Sequence, residues 1–124
     1  MLKVKYVAMV GCQHYFGTQI FKPGLVLKLV KEPENPYDAE AIRVELDPIG
    51  RVGYVANSAH TVPRGCFSAG RIYDTFEGEL YGIVRFVIGE MAILELVENV
   101  KLTFRIITEE KKERMASDLI SPGR

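Results

Sequence analysis

Three things are scarce in this sequence, and each scarcity narrows what the protein can be. Only two cysteines, Cys12 and Cys66, occur in 124 residues. Two thiols are too few for a disulfide scaffold, so the fold must rest on its hydrophobic core. Net charge is missing too, since 16 lysines and arginines balance 16 aspartates and glutamates. A neutral molecule has no global field to draw in DNA, RNA or an anionic membrane, so any nucleic-acid contact must be local. Long apolar runs are also absent, and none reaches the ~18 to 20 residues that span a bilayer. The N-terminus lacks the basic start, apolar middle and cleavage site of a secretory signal. The expectation is a protein of the reducing cytoplasm with no membrane partner.

What is present suits one ordinary domain. A chain of this length buries roughly two-thirds of the surface that its unfolded form exposes. Apolar residues make up 48% and charged residues 26%, and the 11 glycines and 6 prolines favour turns and short strands over long helices. Charge is spread unevenly. Up to Arg71 there are 9 basic against 6 acidic residues, and beyond it 7 against 10, so the first part is positive by three.

Alternation of apolar and polar residues predicts strands along most of the chain. LKVKYVAMVG (2–11) starts by alternating and ends in a continuous apolar run, as a strand entering a covered core should. LVLKLVK (25–31) and AIRVEL (41–46) follow, with Arg43 and Glu45 pointing away from Ile42, Val44 and Leu46. Asp47-Pro48-Ile49-Gly50 reads as a tight turn into RVGYVA (51–56), making a hairpin. Between Asn57 and Tyr73 the alternation stops. Asn57 or Ser58 is expected to cap a short helix there, broken by Pro63, Gly65 and Gly70. Strands resume at 77–89, 91–98 and 100–107.

About seven short strands and one or two short helices predict a mostly-β fold, a small OB-like or SH3-like barrel, with a sandwich as the alternative. Residues 1–108 are expected to form this single domain. The charged stretch 109–124 is expected to be a frayed or disordered tail.

Two polar, aromatic stretches interrupt the strand pattern. In KEPENPYDAEAIRVEL (31–46), Asn35-Pro36 starts a turn, because proline fixes its own φ and pushes the preceding residue out of the helical region. Nothing in that requires Tyr37. Its ring either folds back on the core, with Asp38 capping the residues after it, or is displayed as a platform for stacking a base. In VGCQHYFG (10–17), Gln13, His14 and Tyr15 cluster at a strand end between two glycines, at the kind of rim where barrels bind ligands.

Other chemistries find less support. Cys12, His14, His60 and Cys66 are residue types that hold zinc, but their spacing does not match the usual C-x2-4-C and H-x3-5-H pairs. No metal or other cofactor is therefore expected. Cys12 is expected in the strand-end core and Cys66 on a buried helix face. There is no phosphate-cradling Gly-rich loop with its lysine, no G-x-S-x-G and no H-E-x-x-H, so no catalysis is expected either.

Taken together, Val10-Gly11, the run Glu32-Pro33-x-Asn35-Pro36-Tyr37-Asp38-x-x-Ala41-Ile42, and Val52-Gly53-Tyr54-Val55 resemble the HIRAN domain family over roughly residues 4–75. The family is known as an accessory module of fork-remodelling helicases and as small stand-alone bacterial proteins, with a modified OB-type barrel. The resemblance implies binding of the free 3′ end of single-stranded DNA, in repair or fork processing, beside helicase or nuclease machinery. Carried over residue by residue, Asp38 would accept from the terminal 3′-hydroxyl and Tyr37 would form one face of a clasp on the last base. Asn35 would orient Asp38 or fix the turn. Gln13 and His14 stand where the helicase modules carry an arginine and a tyrosine, and Tyr54 and Asn57 where they carry a histidine and a lysine. Tyr15 is the other candidate for the second face of the clasp. Arg64 and Arg71, with Lys3, Lys5 and Lys31, are candidates to restore the missing positive charge. The alternative function is a protein-interaction module or homo-oligomeric adaptor that uses the same rim.

Overall fold

The computed structural model describes residues 4–97. Lys3, the predicted strand at 100–107 and the tail at 109–124 lie outside the described residues. Six strands follow in order: β1 (Tyr6–Val10), β2 (Val26–Lys31), β3 (Ile42–Leu46), β4 (Gly50–Val55), β5 (Glu79–Ile88) and β6 (Met91–Val97). They close into a barrel with the order β1-β4-β3-β2-β5-β6, so the barrel alternative holds over the sandwich. All neighbours are antiparallel. The β3–β4 hairpin turns through Asp47-Pro48, whose peptide bond is cis, and pairs Leu46 with Gly50.

The barrel interior holds the apolar set that the alternation singles out. Val7 and Met9 from β1, Leu27 and Leu29 from β2, Ile42 and Val44 from β3, Val52 from β4, Val84 from β5 and Leu94 from β6 are fully buried. Strand β1 is also covered on its outer face, which explains its unbroken apolar run. Ala8 packs there with Ala56 and Ile93 beneath Val62 and Cys66. The covering segment is tied down by backbone hydrogen bonds from Phe67 N–H to the Tyr6 carbonyl (2.7 Å) and from Ala56 N–H to the Ala8 carbonyl (2.8 Å).

The helical expectation needs two corrections. The helix does not start at Asn57 or Ser58; after a single turn in which Thr61 and Val62 donate to the Ser58 carbonyl, Pro63 and Gly65 end it. The one α-helix of the described residues, α1 (Ala69–Tyr73), is capped by Ser68, whose side chain accepts from Arg71 N–H. Its i, i+3 pair Ala69 and Ile72 is buried against the barrel. Cys66 therefore sits half-buried in the turn before the helix, not on a helix face. Cys12 does join the core, in a 3-10 turn (Cys12–His14) entered through Gly11 at φ 75°. Burial pushes its thiol up to about 11, which makes it a packing residue and not a reactive thiolate. No helix of the described residues is long and apolar enough to cross a membrane.

Close approach of β1 and β4 depends on Gly53. A Cβ at that position would lie 2.8 Å from Met9 Cγ and 3.0 Å from the Val10 carbonyl oxygen. Both contacts are with the strand that closes the barrel. Gly53→Ala is expected to lower unfolding free energy by about 1 to 3 kcal/mol through overpacking. Urea denaturation should show a reduced midpoint at unchanged slope.

Candidate functional site

The turn before β3 is built by one side chain. Asn35 Oδ1 accepts from the N–H of Tyr37 (2.9 Å) and of Asp38 (3.1 Å), while Nδ2 donates to Glu32 Oε1 (2.9 Å). Asn35 thus fixes the turn and through it the placement of Asp38. The Tyr37 ring is 95% exposed, so it is displayed and not folded onto the core. Asp38 does cap the turn, accepting Glu40 N–H at Oδ1 (2.9 Å). Its other oxygen accepts from Asn57 Nδ2 (2.9 Å), whose own Oδ1 takes the Gly70 N–H at the start of α1 (2.8 Å). A carboxylate offers about four lone-pair sites, so Asp38 keeps acceptor capacity beyond these two bonds.

This turn forms one wall of an open groove of about 970 Å³. Tyr15, Asn35, Tyr37, Asp38, Tyr54 and Asn57 all line it. Residues widely separated in sequence are thereby brought together by the barrel end. Tyr15 and Tyr54 face each other across a tilted contact, with ring centroids 6.5 Å apart at 45°. Gln13, His14 and Arg64 are exposed and are not among the lining residues.

At the groove floor lies a carboxylate hub that the sequence reading did not single out. Glu32, with a side chain only 13% exposed, receives the Tyr54 hydroxyl at both oxygens (2.9 and 3.1 Å). Arg51 Nη2 lies 3.4 Å and Arg43 Nη1 3.6 Å from Glu32 Oε2. Arg43 is also bound to Glu45. The Arg51 guanidinium stacks 5.6 Å from the Tyr54 ring centroid. A bulge between Val44 and Glu45 shifts the hairpin register by one and so sets Arg43 directly opposite Tyr54, a pairing that plain alternation does not give.

The basic candidates are differently disposed. Lys31 lines the groove, but its ammonium donates to the Phe76 carbonyl (2.6 Å) and sits 4.6 Å from the centroids of both Tyr73 and Phe76. Lys5 and Arg71 lie over the Phe67 ring, at 5.7 and 5.3 Å, outside the groove lining. Among the described residues, no group of three or more His, Cys, Asp or Glu could hold a metal ion.

The hub perturbs its own titration. Burial raises the Glu32 pKa, but the hydrogen bonds from Asn35 and Tyr54 and the charges of Arg51 and Arg43 outweigh it, leaving the carboxyl below its usual range. Burial first, and then the hydrogen bond to Glu32, push the Tyr54 hydroxyl up to about 12.

The family model of the HIRAN domain matches residues 3–98. Among solved structures, the crystal structure of the HIRAN domain of human HLTF is similar, with a TM-score of 0.55 and 22% identity over 75% of this chain and 72% of that one. At that identity the likeness shows a shared fold. No curated protein matches at a significant level.

A depressed Glu32 favours the folded state above its ordinary pKa of 4.5, and that stabilisation is lost as pH falls through the lower, folded value. Glu32→Gln is therefore expected to flatten the acid limb of stability against pH measured by denaturant titration. Tyr54 behaves oppositely. Its contribution is complete below its ordinary pKa of 10.0 and disappears as pH rises towards about 12. An ultraviolet titration should show one late-ionising tyrosine that is missing in Tyr54→Phe.

Proposed function

The chain belongs to the HIRAN domain family, and from that premise we propose that its groove binds the free 3′-hydroxyl end of a single nucleic-acid strand, without catalysis. HIRAN domains bind DNA, which supports a nucleic-acid partner. The observation that carries the reading is the exposed Tyr37 ring standing directly beside the Asp38 carboxylate at the groove wall. A displayed ring costs the fold the burial of its apolar face, and a base can restore that contact. Stacking contributes about 1 to 3 kcal/mol per base and tolerates any sequence.

In the proposed complex the terminal base stacks on Tyr37, with Tyr15 as the opposing aromatic because it, and not His14, lines the groove. Asp38 accepts from the 3′-hydroxyl. An ionised carboxylate only accepts, so it suits a hydroxyl donor and repels a 3′-phosphate. Asn57 donates to that carboxylate, and Asn35 fixes the backbone beneath it by accepting the Asp38 N–H. The proposed setting is DNA repair or fork processing in the cytoplasm, alongside helicase or nuclease machinery; the free thiols of Cys12 and Cys66 agree with a reducing compartment.

A protein-interaction role is a second reading, favoured by the exposure of Phe16, Phe86 and Ile88. Ionic strength separates the two, since an apolar protein contact is little affected by salt.

Fluorescence anisotropy with labelled single strands ending in a 3′-hydroxyl, a 3′-phosphate or a blocked 3′ end tests the mechanism. Tyr37→Ala is expected to weaken hydroxyl-end binding by about 5- to 150-fold, the range of one lost stacking contact. Asp38→Ala should weaken it too, and it alone should abolish the preference for hydroxyl over phosphate. Equal binding of all three ends by the wild-type protein would sink the 3′-end reading.

A further inference from the structure

We infer that the outer end of the β5–β6 hairpin is a pairing edge for a second copy of this chain, two β5 strands meeting antiparallel about a two-fold axis centred on Val87. Strand β5 outruns the neighbour on its β2 side. That pairing ends where Ile83 meets Val26, and Val84 then exchanges backbone hydrogen bonds with Gly24 and Leu25. A bulge between Val84 and Phe86 carries the strand on, paired with β6 alone, to the Gly89-Glu90 tip. Among the described residues, no backbone group outside the hairpin hydrogen-bonds Arg85 to Ile88.

This edge is apolar. Phe86 is 57%, Val87 37% and Ile88 60% exposed. Arg85 is bound to Glu95 on β6 (2.7 Å), so the edge carries no unpaired cation of the kind that blunts exposed strands. Thr18 Oγ1 donates to the Gly89 carbonyl (2.7 Å), which fastens the loop bearing the exposed Phe16 and Ile20 to the same end of the barrel.

The strand geometry selects the occupant. A two-residue hairpin loop is closed by a hydrogen-bonded pair, here Ile88 with Met91, and such pairs alternate along an antiparallel ladder. Val87, opposite Ala92, therefore turns its N–H and C=O away from β6. Two Val87 residues facing each other exchange those bonds, and Phe86 of each copy then lies opposite Ile88 of the other. The edge is thus complementary to itself, as a two-fold contact demands. The chain leaves β6 at Val97, opposite Tyr81 and about 20 Å along the strand from Met91, so its own continuation starts far from this edge. At these exposures the five apolar side chains offer on the order of 400 Å² per copy, the size of a weak, reversible dimer. None of them lines the groove, so a pair of copies presents two open grooves.

Sedimentation equilibrium of the full chain over about 1 μM to 1 mM, the range of a contact this small, tests the pairing. The mean mass is expected to rise from one copy towards two, with little effect of salt. Phe86→Lys with Ile88→Lys should abolish the rise, because the facing positions then carry like charges. Phe86→Lys with Ile88→Glu should restore it, because each lysine then opposes a glutamate of the other copy, and that dimer should weaken as salt is added. Circular dichroism checks the fold of each variant, and the salt-sensitive dimer still decides should the double-lysine chain fail to fold. A wild-type chain that stays single throughout overturns the inference, whether the edge is then open, covered by residues 98–124 or kept for another protein. Association that survives the two lysines, or that lysine with glutamate fails to restore, overturns it as well.

Discussion

Strand β1 pairs with β4 on one side and β6 on the other, and this double pairing closes the sheet. Everything at the functional end depends on that closure. Pairing of Val10 with Tyr54 brings the exit of β1, and with it Tyr15, beside the hairpin that carries Tyr54 and Arg51. The room for this approach comes from the missing side chain at Gly53. A closed barrel has no edges running its whole length to template aggregation, which leaves its rim free to carry polar and aromatic groups.

Upon that frame, the Glu32 side chain ties the turn to the β3–β4 hairpin. It accepts from the turn through Asn35 and from β4 through Tyr54, and it pairs with arginines of β3 and β4. A carboxylate with so little exposure is tolerable because its lone pairs are matched by donors. The turn that displays Tyr37 is thus pinned at both ends: its own Asn35 below, and Asp38 held by Asn57 above. Rigidity of this kind reduces the entropy lost when a ligand binds. It also fixes the backbone from which the Tyr37 ring is displayed.

The motif around Asn35, Tyr37 and Asp38 was legible because its interactions are local. The structure decided that the Asn35 side chain fixes the turn by accepting the next N–H groups, but the Asn-Pro turn itself follows from residue types alone. The same holds for the strands, since period-two alternation reports a half-buried sheet wherever it occurs. The unbroken apolar run of β1 marked a strand entering a covered core, and the structure added what covers its outer face. The helix start was not, because Ser58 and Ser68 offer equal caps and only packing of Ala69 and Ile72 chooses between them.

Charge was the part that local pattern could not assign. In the sequence, Lys31, Arg43, Arg51 and Arg64 are equivalent cations on or near strands. Barrel register decides that Arg43 and Arg51 converge on Glu32, that Lys31 is enclosed by Tyr73 and Phe76, and that Arg64 stays outside the groove. Likewise Tyr15 faces Tyr54 while its neighbour His14 does not line the groove, a choice made by one 3-10 turn. The chain by itself determined the strands, the turn and the aromatic beside the acid, since those arise within a few residues. Only the tertiary structure decided which charges meet, because ion pairs are set by distances in space that closure of the sheet creates.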